Sequence, residues 1–84
     1  MTHSADVRAF VGQHYIDPPR ARGDNVVAIR TGDVHKAMGY KNRLPLVCAA
    51  LGAGVFTETY RLRRTSIEGP INGANTIYHF ELLA

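Results

Sequence analysis

The sequence predicts a small α+β domain in which three short helices pack on a small antiparallel sheet. Three observations carry this. Apolar residues recur at helical spacing in three separate stretches. A short β-branched run, 25–30, lies between the first two of them. The last third of the chain alternates apolar and polar residues at strand spacing around a Gly/Asn-rich loop. Eighty-four residues make a single domain, 1–84, with a small core; a chain of this size buries roughly 60% of its unfolded surface.

The first helix is expected over 4–16. Ser4 can cap it, and Asp6 in the first turn suits the positive end of the helix dipole. Val7, Phe10, Val11 and His14 or Tyr15 make one apolar stripe. Pro18-Pro19 ends this helix or starts a new turn after an Asp17 cap. Gly23-Asp24 then breaks the chain direction.

Val26, Val27 and Ile29 are β-branched, and the run 25–30 is too brief for a helix, so it reads as a strand. Thr31 is the expected N-cap of a second helix, 31–38, with Val34, Ala37 and Met38 on its buried face. Gly39 is placed to end it in the left-handed conformation. A four-residue turn, 39–42, leads to a third helix over 43–52. Asn42 is its expected cap, and Pro45 falls in the first turn, where a missing N–H costs little. Leu44, Val47, Cys48 and Leu51 share one face. Leu46, Ala49, Ala50 and Ala53 are left on the other.

The remainder reads as a hairpin over 56–83. Tyr60 and Leu62 share a face opposite Arg61 and Arg63, with Arg64 near the edge of the core. In the last strand Tyr78, Phe80 and Leu82 share a face opposite Ile77, His79 and Glu81. Asn72-Gly73 marks the turn. The strand 25–30 can pair at the hairpin's edge to give three antiparallel strands.

The formal net charge is +3, but it is unevenly spread. Between Lys36 and Arg64 lie Lys36, Lys41, Arg43, Arg61, Arg63 and Arg64 against a single acid, Glu58, for a local net of +5. A concentrated cationic face attracts polyanions. The bland alternative is a solvated face that keeps a small domain soluble. One cysteine forms no internal disulfide, and no leader-like or membrane-length apolar run is present, so a cytoplasmic location is expected.

The order helix, strand, helix, turn, helix, hairpin resembles the winged helix-turn-helix family. The likeness covers Ser4 to Leu83 and lies in element order and pattern rather than in a signature motif. It implies DNA binding of the kind used in transcription regulation, with the helix after the turn reading a groove and the hairpin loop acting as a wing. Carried over to this chain, Asn42, Arg43 and Leu46 fall at the reading end. Arg61, Arg63 and Arg64 fall on the wing strand, and Asn72, Gly73 and Asn75 at its tip.

Arg43 is the best single candidate for nucleic-acid contact, since its fork can hold guanine or a phosphate through two hydrogen bonds. Capping competes for the Asn42 side chain. Arg61, Arg63 and Arg64 suit phosphate better than bases, and Lys36 and Lys41 can reach the backbone as well. Against base reading, the outer face of the third helix carries few hydrogen-bond donors, and with Tyr40 and Leu46 it can instead dock a protein or a second copy of the chain. No catalytic constellation, cofactor motif or metal-ligand spacing is visible: Cys48 is alone on the apolar stripe, and the four histidines are scattered. The expectation is a non-enzymatic module that binds nucleic acid, most plausibly duplex DNA, or that assembles with protein.

Overall fold

The computed structural model describes residues 3–70 and 73–83. Its elements are α1 (His3–Val11), a π turn (Gly12–Ile16), α2 (Asp17–Ala21), β1 (Val26–Arg30), α3 (Thr31–Ala37), α4 (Leu44–Gly52), α5 (Gly54–Tyr60), β2 (Leu62–Glu68) and β3 (Ile77–Leu82).

The first helical rod runs past its expected end at residue 16 and on through the two prolines to Ala21. Pro18 and Pro19 donate no hydrogen bond, and their rings crowd the carbonyls one turn earlier. The chain widens just before them, and the Asp17 N–H reaches back five residues to the Gly12 carbonyl. Ser4 lies inside the first turn rather than at its cap, because the helix already includes His3. Gly23, at φ +84°, ends the rod: the Asp24 N–H bonds to the Pro19 carbonyl and the Gly23 N–H to Arg20.

The sheet is antiparallel with order β1-β3-β2, so the early strand does pair beside the hairpin. Val27 and Ile29 face the helices together with Tyr78 and Phe80, and the opposite face of the sheet carries Val26, Ala28, His79, Glu81 and Arg63. Val7, Val11 and Ile16 from the rod, Val34 from α3, and Val47, Cys48, Ala50 and Leu51 from α4 complete the core.

The hairpin is shorter than the expected 56–83. Residues 54–60 are helical although rich in β-branched and aromatic types. Burial decides this. In a helix, Phe56 and Tyr60 fall on one face: Phe56 is fully buried against Phe80, ring centroids 5.6 Å apart, and the Tyr60 ring lies over Gly12. A Cβ at Gly12 would stand 2.2 Å from Tyr60 Cζ, so the rod needs a glycine there to let α5 approach. Hiding a phenylalanine contributes about 2 kcal/mol, more than strand propensity can oppose. Tyr60 is therefore not on a strand, and Arg61 is the left-handed junction after α5, at φ 55°.

A bulge in β2 solves a parity problem. Leu62 and Ile67 are five residues apart, and a regular strand would put them on opposite faces. The pairing skips Thr65 between Arg64↔Phe80 and Ser66↔His79. Both apolar side chains then face the helices, with Arg64 on that same side.

Candidate nucleic-acid interface

The turn between α3 and α4 is fixed from both ends. The Tyr40 N–H bonds to the His35 carbonyl and the Gly39 N–H to Lys36, with Gly39 at φ +72°, as its position in the sequence led one to expect. Asn42 does not cap α4. It takes a left-handed conformation, φ 55°, which asparagine tolerates better than most residues, and Arg43 occupies the cap position without a side-chain bond. The Arg43 N–H instead donates to Nε2 of His35 at 3.0 Å, tying the start of α4 back to α3. Sequence spacing did not single out this role for His35; its only signal was a polar residue at the last turn of α3.

Along α4, Val47, Cys48, Ala50 and Leu51 are buried. Leu44 and Leu46 are half-buried. Ala50 was expected on the outer face, but the helix is wedged deeply enough between α1 and α3 to cover it. The exposed stripe is Pro45, Ala49 and Gly52, small residues without a side-chain donor or acceptor. Ala37 on α3 was expected in the core and is exposed instead; Met38 and Tyr40 pack there from beyond the helix end.

The arginines do not form one cluster. Arg43 stands at the head of α4. Arg64 stands at its tail, where its Nη1 lies 3.7 Å from the place a Cβ on Gly52 would take. By helix rise, the two ends are ~13 Å apart. Arg63 joins Arg64 in a shallow groove with Gly52, Gly54 and Thr57, but faces the other side of the sheet, paired to Glu81 at 2.5 Å. Arg61 lines a different groove with Arg20 and Leu83. Lys36 and Lys41 are exposed near the α3–α4 turn. Among the described residues Lys36, Lys41, Arg43, Arg61 and Arg64 have no acidic partner.

Tyr78 holds α4 on the sheet: its hydroxyl donates to the Cys48 carbonyl at 3.1 Å. Burial, with the Cys48 thiol beside it, pushes the Tyr78 phenol above its usual range, and the Arg64 guanidinium pulls the other way. Cys48 is itself buried, as its place on the apolar stripe implied.

The hairpin tip is sewn to the start of α3. Thr31 N–H donates to the Thr76 carbonyl and Gly32 N–H to the Ala74 carbonyl. Thr31 is not the side-chain cap of α3; its hydroxyl donates to the Gly73 carbonyl at 2.6 Å. Thr76 accepts from the Gly73 N–H and donates to the Pro70 carbonyl. Arg30 spans the junction, bonding Asp33 at 2.9 Å and the Asn75 side chain at 2.6 Å. Gly73 and Asn75 thus serve the fold at this junction, and Asn72 lies outside the described residues. Neither Arg30 nor Thr31 stood out in the sequence as a partner of the tip, because the partners lie more than forty residues away.

Among the described residues no group of three His, Cys, Asp or Glu side chains is placed to hold a metal ion, and no helix is long and apolar enough to cross a membrane. A scan against protein-family models, a search of curated proteins and a search of solved structures each found no match to this chain.

Proposed function

We propose that this chain is a non-enzymatic, cytoplasmic winged-helix module that binds duplex DNA through the phosphate backbone. Element order and the β1-β3-β2 sheet are compatible with that fold, with α5 as an insertion between the third helix and the wing. The observation that carries the reading is the pair Arg43 and Arg64, free of acidic partners, at the two ends of the smooth exposed stripe of α4. The ends of α4 that they flank are ~13 Å apart by helix rise, close to the ~12 Å width of the major groove, so that the phosphates of the two strands bordering the groove can meet one end each. Pro45, Ala49 and Gly52 let the helix approach closely and offer no base-edge contact, so recognition is by shape and charge rather than by sequence. Lys36 and Lys41 extend the cationic end near Arg43.

The test is a salt titration of binding to mixed-sequence duplex and single-stranded probes. Duplex binding should weaken linearly in log–log form, and Arg43→Ala and Arg64→Ala should each reduce the slope by about 1. Absence of duplex binding at low salt, or slopes indifferent to both changes, refutes the reading.

A second reading, an assembly module on the same fold, is favoured by the donor-free stripe beside half-buried Tyr40 and Leu46. Light scattering decides it: concentration-dependent mass that Leu46→Asp abolishes supports self-association, and a monomer at all concentrations opposes it.

A further inference from the structure

A second cationic groove lies away from α4, and we propose that it binds a small oxyanion carrying an apolar chain, with Arg61 as the anion-binding residue. The groove is open to solvent and has a volume of about 410 Å³. Its walls come from the turn after α2 (Gly23, Asp24, Asn25), the α5–β2 junction and the end of β3.

Two arginines line it. Arg20 is locked in place, its Nη2 donating at 3.1 Å to the carbonyls of both Arg61 and Leu83. Arg61 has no acidic partner among the described residues. Among the described residues the one carboxylate on the groove, Asp24, is already engaged by Arg22 at 2.9 Å. Among the described residues, neither Arg20 nor Arg61 is paired with a carboxylate. Leu82 and Leu83 supply an aliphatic wall beside them, and Leu83 is 41% exposed.

The backbone at Arg61 sharpens the assignment. At φ 55° and ψ 61° it sits in the left-handed region, where glycine is the unstrained choice and an L side chain is penalised. What the fold uses at this position is the carbonyl, which accepts from Arg20 and from the Leu83 N–H at 2.9 Å. Any residue would provide that carbonyl. The arginine side chain brings strain without a hydrogen-bond or ionic partner among the described residues, which is the pattern expected where a side chain serves a ligand.

Electrostatics define the ligand class. The C-terminal ends of α2 and α5 both face this region, and their partial negative charge offsets some of the arginine potential. A bare anion is therefore held weakly, and burial of an apolar segment against Leu82 and Leu83 must add to the binding. A carboxylate and a phosphate monoester share this chemistry. The site does not depend on the nucleic-acid reading, since α4 and Arg64 take no part in it.

The experiment titrates the full isotope-labelled chain with hexanoate, hexyl phosphate, inorganic phosphate and hexanamide, following backbone amide shifts. Saturable shifts confined to Arg61, Leu82, Leu83 and Asn25 are expected with hexanoate or hexyl phosphate, and the tighter of the two identifies the headgroup. Inorganic phosphate and hexanamide should each bind at least tenfold more weakly. Arg61→Gly should weaken binding at least tenfold while leaving the melting temperature equal to or above that of the wild type; Arg61→Lys should retain part of the affinity. No saturable shift with either amphipathic anion, equal affinity in Arg61→Gly, or inorganic phosphate binding as tightly as hexanoate overturns the proposal.

Discussion

Replacing Gly32 with alanine tests how the hairpin tip is joined to α3. A Cβ at this position would lie 2.5 Å from the Ala74 carbonyl oxygen and 3.2 Å from the Ala74 Cβ. The oxygen is backbone, and it is held there by the Gly32 N–H at 3.0 Å, so it cannot swing aside as a side-chain end could. Relieving the contact means moving the loop and loosening that bond together with the Thr31 hydroxyl bond to Gly73. Overpacking of this kind costs roughly 1–3 kcal/mol, and each hydrogen bond about 1 kcal/mol. Alanine's better helix propensity returns up to about 1 kcal/mol. The net is a loss of about 3 kcal/mol, which for a domain of this size lowers the melting temperature by about 15 °C. Gly54→Ala is the control, since a Cβ there meets nothing within 4 Å; it should be neutral or slightly stabilising. Thermal melts followed by far-UV circular dichroism, with amide exchange at Thr31 and Gly32, check both. A Gly32→Ala protein as stable as wild type, with the amides at 31 and 32 exchanging freely in both proteins, would refute the docking of the tip on α3.

Other outcomes follow from the same geometry. Tyr78→Phe removes the bond to the Cys48 carbonyl and should cost about 1 kcal/mol at neutral pH, read by urea denaturation. The folded Tyr78 phenol titrates above its ordinary value of 10.0, so its contribution is complete below pH 10 and is lost as pH rises through the folded value; Tyr78→Phe should flatten the alkaline fall in stability, with half-buried Tyr15 contributing to what remains. Deleting Thr65 removes only the residue that the β2–β3 pairing skips, so the chain should stay folded, with Leu62, Arg64 and Ile67 on their present faces and a melting temperature within a few degrees of wild type; an unfolded product would contradict the register. Arg63→Ala should change the salt slope of duplex binding less than Arg64→Ala does, because Glu81 already neutralises Arg63.

Local sequence pattern alone determined much of this protein: the stripe of Val7 and Val11, the buried face of α4 around Val47, Cys48 and Leu51, the glycine stop at Gly39, and the inward face of β3. These are local patterns, and each element displays its period whatever it packs against. What the sequence left undecided depends on partners far along the chain. Residues 54–60 have strand-like composition, and only the Phe80 ring and the bare backbone of Gly12 make a helix the better solution. The parity of Leu62 and Ile67 demanded a bulge, but its place came from pairing with β3. The cationic segment was legible as a count of charges, and its division was not. Folding sends Arg43 and Arg64 to opposite ends of α4, ties Arg63 to Glu81, and sets the Arg61 carbonyl against Arg20, because a side chain's direction is set by the element that carries it and by the neighbours that element meets.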